Sequence, residues 1–232
     1  MKHKHTSTTL WFVLAAFLSA NSNAAAEWNS SVSYYSDYYF RGLGYEKNLA
    51  SFSLLTEVRA GNGFYGGLWL GRNDVEESIY YKKEVDYWLG YGLQINDSFA
   101  ADISLNRYTF PGSWPRDYDW SEAQLSLHYQ QQWSVTFGVN ENQFTLDRQG
   151  EFIEVTHRRA LGLGLVFDGS IGAVHSDTLL NPYAYYQFGL SRQIKSAQIR
   201  LTWITADGDA LTSPYARIKA DKQWLLALLY SF

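Results

Sequence analysis

KQWLLALLYSF, residues 222–232, carries a large apolar side chain at every second position: Trp224, Leu226, Leu228, Tyr230 and Phe232. A period of two is the period of a β-strand, and it gives this strand one face made for an apolar neighbour. A strand of this kind left at an exposed edge would template aggregation. Either a partner strand and a core cover it, or lipid does.

The opposite end of the chain bears on the compartment. MKHKHTSTTLWFVLAAFLSANSNAAAE has two early lysines, an apolar run from Leu10 to Leu18, and a small-residue site at Ala24-Ala25-Ala26. This is the pattern of a secretory signal peptide cleaved after Ala26, with Ala24 as the alternative site. The apolar run is too short to cross a bilayer as a helix. The expected organisation is a signal peptide over 1–26 and one domain over 27–232.

Two of the 19 Lys and Arg side chains, Lys2 and Lys4, fall in the leader, so 17 remain against 23 Asp and Glu. An acidic balance of this size argues against a nucleic-acid partner. The chain has no cysteine, which removes disulfide scaffolds and thiolate chemistry. Aromatic residues make up 17% of it. An aromatic-rich exported chain without an apolar helix fits an extracellular sandwich or an outer-membrane barrel with aromatic girdles.

Alternation recurs throughout. NLASFSLLTEVRA sets Phe52, Leu54 and Val58 against Ser51, Ser53, Glu57 and Arg59. EVDYWLGYGLQI sets Val85, Tyr87 and Leu89 against Glu84, Asp86 and Trp88. EAQLSLHYQ, WSVTFGVNEN and AQIRLTWIT repeat the pattern, and SVSYYSDYYFR reads as a first strand from Ser31 to Arg41. The connections alternate too. Tight turns are expected at Gly61-Asn62-Gly63, Asn96-Asp97, Gln131-Gln132, Asp168-Gly169 and Lys195-Ser196. Longer polar links lie between them. Short turns on one side and long loops on the other are the mark of an outer-membrane barrel rather than a Greek-key sandwich.

The expected fold is therefore an all-β, transmembrane, antiparallel up-and-down barrel. It has about twelve strands, with ten as the alternative count; the weakest segments are GFYGGLWLGR, SIGAVHS and the last strand. In such a barrel the terminal aromatic strand closes onto the first and faces lipid, and Trp224, Leu226, Leu228, Tyr230 and Phe232 form the signal read by the barrel assembly machinery.

Asp37-Tyr38-Tyr39-Phe40-Arg41-Gly42 and Gly63-Phe64-Tyr65-Gly66-Gly67-Leu68-Trp69 resemble the two opening motifs of the Gcw_chp family, also called TorF-like porins. EVDYWLGYG is similar to that family's next strand and TFPG to its following loop entry. The likeness covers roughly 31–112. It departs at Leu43-Gly44, where the family has a small hydroxyl residue and then a polar one. The resemblance implies a barrel and a porin role, and brings no catalytic chemistry or cofactor with it.

Candidate chemistry is sparse. Ser126 and His128 share a strand face, where i and i+2 side chains approach, but that face is expected to line the lumen, away from lipid substrates. His157 is expected near the loop end of its strand, and His175 precedes Ser176. The acidic run Asn73 to Glu77 lacks the spacing of a calcium loop. No catalytic, metal or cofactor site is expected. Charges at membrane depth must face water or one another, so the expected pore lining is Asp37, Arg41, Glu57, Arg59, Glu84, Asp86, Asp102, Glu122, Glu154, Arg158 and Arg200. Gly66, Gly67, Gly90, Gly92, Gly162 and Gly164 are expected to leave room inside.

These features point to a channel in the outer membrane of a Gram-negative bacterium. It would pass small hydrophilic solutes passively with a weak preference for cations, and meet outer-membrane lipid and lipopolysaccharide outside. The alternatives are a structural or adhesive barrel acting through its loops, and a lipid-modifying enzyme.

Overall fold

A computed structural model of the chain describes residues 26–44, 50–73, 83–112, 119–141, 149–176, 182–207 and 222–232. The signal-peptide segment and the acidic run after Asn73 lie outside them. The strands are β1 (Glu27–Tyr35), β2 (Tyr39–Phe40), β3 (Leu43–Gly44), β4 (Ser51–Arg59), β5 (Phe64–Asn73), β6 (Lys83–Gln94) and β7 (Phe99–Thr109). They continue as β8 (Trp120–Tyr129), β9 (Trp133–Glu141), β10 (Gly150–Gly162), β11 (Leu165–Ser176), β12 (Tyr183–Ile194), β13 (Ala197–Ala206) and β14 (Gln223–Ser231).

All of these except β2 and β3 join one closed barrel in the order β1-β14-β13-β12-β11-β10-β9-β8-β7-β6-β5-β4. Every pairing is antiparallel, and β1 closes the ring by pairing with both β14 and β4. The twelve-strand expectation holds, and each segment considered weak is a strand. Closure leaves no edge, which is what lipid requires of a sheet.

The register separates two faces. Outward rows such as Leu54–Leu70–Val85 and Leu105–Ala123–Val139 are apolar. Aromatic pairs gather near the rims. Phe64–Tyr91 (4.9 Å between centroids) and Phe99–Tyr129 (5.0 Å) lie towards the tight-turn end, and Tyr34–Phe52 (5.3 Å) towards the loop end. Trp224, Leu226, Leu228, Tyr230 and Phe232 are all exposed on the outer surface, and the Phe232 amide donates to the Ser30 carbonyl at 3.0 Å. The last strand is thus seated on the first.

Two expectations are corrected. The first strand does not run to Arg41. It ends at Tyr35, and the chain turns into the barrel as a small hairpin of β2 and β3. Nor is Asp168-Gly169 a turn. The turn lies at Leu163 and Gly164, and β11 runs straight through Asp168. Gly162, Leu163 and Gly164 all take positive φ, the backbone a reversal here needs. Two glycines flanking one leucine supply that freedom, whereas an Asp-Gly pair inside an alternating run does not.

Candidate functional site: the lumen and its infolded hairpin

The hairpin is the feature that shapes the lumen. Arg41 (φ 49°) and Gly42 (φ 81°) form its two-residue reversal, the double positive φ of a type I′ turn. Its tip crosses the barrel. β1 and β9 stand on opposite sides of the ring, and the tip reaches the strands that flank β9. Arg41 forks onto Glu122 of β8, with Nη1 donating to Oε2 at 2.8 Å and Nη2 to Oε1 at 2.6 Å. The guanidinium also lies 3.4 Å from the Phe152 ring centre on β10. Gly42 packs so tightly on β12 that a Cβ there would stand 2.4 Å from the Tyr185 Cβ.

Around the tip the packing is dry and aromatic. Tyr108 stacks on Trp120 at 4.0 Å, and Phe40 meets both rings edge-on at 5.9 and 6.1 Å. Leu43 is 4% exposed. This burial suits an apolar side chain where the family motif has a hydroxyl residue. Arg41 sits in the reversal, outside the spanning strands. Burial works against its charge, but the hydrogen bonds and negative charge of Glu122 outweigh that and hold the guanidinium above its ordinary value.

Glu57, Arg59, Glu84, Asp86, Asp102, Glu122, Glu154, Arg158 and Arg200 share the inward register of their strands. Asp37 and Arg41 arrive by the hairpin instead, and Asp37 is 3% exposed. Asp168, expected in a turn, also faces inward and ion-pairs with Arg200.

Several acids accept from aromatic donors, Glu57 from Arg59 as well. Trp88 Nε1 donates to Glu57 at 3.2 Å, Tyr65 to Asp102 at 2.7 Å and Tyr185 to Glu154 at 2.7 Å. Glycines make this possible. Gly67 stands between Glu57 and Trp88, and Gly172 between Glu154 and Tyr185, each in one row across three strands. A Cβ at either glycine would come within 2.2 or 2.3 Å of the ring lying over it. The lumen glycines therefore do not simply leave space. Gly67 is covered by Trp88 and Gly90 by Tyr65, Gly66 faces outward, and Gly162 and Gly164 belong to a turn.

The Ser126–His128 pairing does not form. Ser126 Oγ bonds Thr136 Oγ1 at 2.9 Å and His128 Nδ1 bonds Ser134 Oγ at 2.8 Å, each across to β9. His157 sits towards the tight-turn end, not the loop end, and stacks on Trp133 at 4.1 Å on the outer face. Among the described residues no cluster of His, Asp or Glu is arranged to hold a metal ion.

Below the hairpin the lumen opens into a cavity of about 430 Å³, walled by Tyr38, Trp69, Asp86, Trp88 and Tyr108 on one side and by Gln187, Arg200 and Thr202 on the other.

The family model Gcw_chp, described as a bacterial protein of unknown function, matches residues 19–232. No curated protein matches the sequence. Among solved structures the barrel is similar to a KdgM porin, with a TM-score of 0.57 and 10% identity over 88% of this chain and 99% of that one. A NanC porin gives 0.58 at 7% identity, over 89% and 99%. A KdgM porin in complex with disordered oligogalacturonate gives 0.56 at 9% identity, over 90% and 99%. At these identities the likeness is one of fold.

Proposed function

The chain belongs to the Gcw_chp family, and we propose that it is a porin-like channel of the Gram-negative outer membrane. Small hydrophilic solutes diffuse through it passively, and the lumen weakly prefers cations. The observation that carries this reading is a closed barrel, apolar outside, whose inner wall concentrates carboxylates. Arg41, Arg59 and Arg200 are each engaged by an acid. Glu84, Asp86, Asp102 and Glu154 add acidic side chains to the same wall. The fold shared with KdgM and NanC porins supports the reading, and the two opening motifs support the narrower TorF-like porin grouping. No step of this function calls for catalysis.

In this reading residues 1–26 are a cleaved signal peptide and 27–232 the barrel. Outer-membrane lipid and lipopolysaccharide surround it, and the barrel assembly machinery reads its terminal strand. Deleting Phe232 should then lower the heat-modifiable folded fraction, and normal assembly would remove that role. The long loops face outward, so epitopes inserted at Glu76, Pro115 or Ala210 should be reached on intact cells and one at Asn62 should not.

Conductance in planar bilayers tests the channel. The expected result is a small pore whose reversal potential in a salt gradient favours cations. An anion preference would contradict the lumen assignment. The hairpin that spans the lumen supports a second reading, a plugged barrel acting through its loops. A folded, inserted protein with no conductance would establish that reading instead.

A further inference from the structure

We propose that the cavity beneath the hairpin is a binding site for a small organic cation bearing a primary ammonium group. The inference deepens the channel reading by naming a class of solute, and rests on it only for the route by which the solute arrives.

The cavity is built around Asp86. Its direct cross-strand partners are aromatic on both sides, Trp69 on β5 and Tyr108 on β7, all on the inner face. Trp88 follows two residues along the same strand and lines the same space. The hairpin supplies the roof, with Tyr38 stacked on Trp69 at 5.8 Å and Phe40 against Tyr108. Asp86 Oδ1 is buried and accepts no hydrogen bond among the described residues. A buried acceptor without a donor is costly. An ammonium group offers three donors, and rings around a cation add the attraction of their π faces.

Charge decides against the other ligands such a space would admit. Asp37 and Asp86 both line it against one arginine, Arg200, whose Nη2 is engaged by Asp168 and whose Nε meets no acceptor among the described residues. An acidic sugar would meet two carboxyl groups and a single guanidinium already shared with Asp168. A neutral sugar would stack on the rings and donate to Asp86, but would bring no positive charge to the two acids. A cavity of about 430 Å³ suits a solute of a few carbons.

Saturation-transfer NMR on the folded barrel in detergent tests this, with butylammonium as the probe and butyrate as its anionic counterpart. Binding is read whether or not the lumen conducts, so a failure here and a failure of the channel reading are separate results. The expected result is saturation transfer to butylammonium and none to butyrate. Asp86→Asn should weaken binding about tenfold, the size of one charged contact. Trp69→Leu should weaken it less while leaving the carboxylate in place. Both variants are first checked for heat-modifiable folding, and if Asp86→Asn does not fold, Trp69→Leu carries the test. No transfer to butylammonium, equal transfer to butyrate, or unaltered binding in the folded variants would each overturn the proposal.

Discussion

Two ion pairs in this lumen have nearly the same length and opposite surroundings. Arg41–Glu122 closes at 2.6 Å with side chains 10% and 0% exposed, and Arg59–Glu57 at 2.8 Å with side chains 57% and 18% exposed. The first joins a hairpin to the far wall of the barrel. The second joins neighbours two residues apart on one strand. In water a pair of this kind contributes little, because solvent screens it and two long side chains lose freedom. Inside a dry aromatic cluster the desolvation has already been incurred, and losing one partner strands the other. The same chemistry therefore fixes the architecture at the loop end and only adjusts the field at the turn end.

Removing Arg41 should break this contrast most sharply. Arg41→Ala leaves Glu122 buried without its cation and should cost the seated hairpin about 3–5 kcal/mol. Amide exchange over 36–44 should accelerate and conductance should rise. The double variant Arg41→Met with Glu122→Met removes both charges and should recover much of the loss. If Arg41→Ala leaves exchange and conductance unchanged, the two pairs are equivalent and the hairpin is held by its rings alone.

A smaller effect is expected at the reversal. Gly42→Ala places a Cβ 2.4 Å from that of Tyr185 at a φ of 81°. Strained backbone of this kind costs about 1–3 kcal/mol. The outcome should be partial unseating, with conductance between wild type and Arg41→Ala.

Arg59→Ala should cost at most about 1 kcal/mol. Its urea midpoint should match wild type, while the reversal potential moves slightly further towards cations because a positive charge is lost. A large loss of stability would show the turn end to be as tightly built as the loop end. Least of all should salt matter to the hairpin. Between about 0.1 and 1 M the screening length falls from about 10 to 3 Å. Cation preference should fade over that range while exchange over 36–44 stays constant.

Much of this was legible in the sequence. Alternation is local, so Glu84, Asp86, Asp102 and Glu122 could be assigned to the inner face from their neighbours alone. Asp168 was lost because Asp-Gly is a common turn pair, and the Gly162-Leu163-Gly164 reversal competes with it only a few residues away. The hairpin was hidden for a related reason. SVSYYSDYYFR keeps strand-forming residues past Tyr35, and nothing in that stretch records that Tyr39 and Phe40 pair with Leu43 and Gly44 just beyond it. The Ser126–His128 pairing failed because each side chain found a hydroxyl on the next strand, a contact that depends on register.

What the sequence determined by itself is the class of object: a transmembrane barrel, its faces and the polarity of its lumen. Those follow from a two-residue period that any strand must obey and from a lipid solvent that admits no sheet edge. Only the tertiary structure decided that the chain leaves the wall after Ser36 and crosses the lumen. That choice rests on contacts between residues as far apart as Arg41 and Glu122, separated by 81 positions. It also rests on the aromatic pocket that strands from both sides of the ring build around them. A local pattern holds no record of either, because the closed ring must exist before there is a far wall to reach.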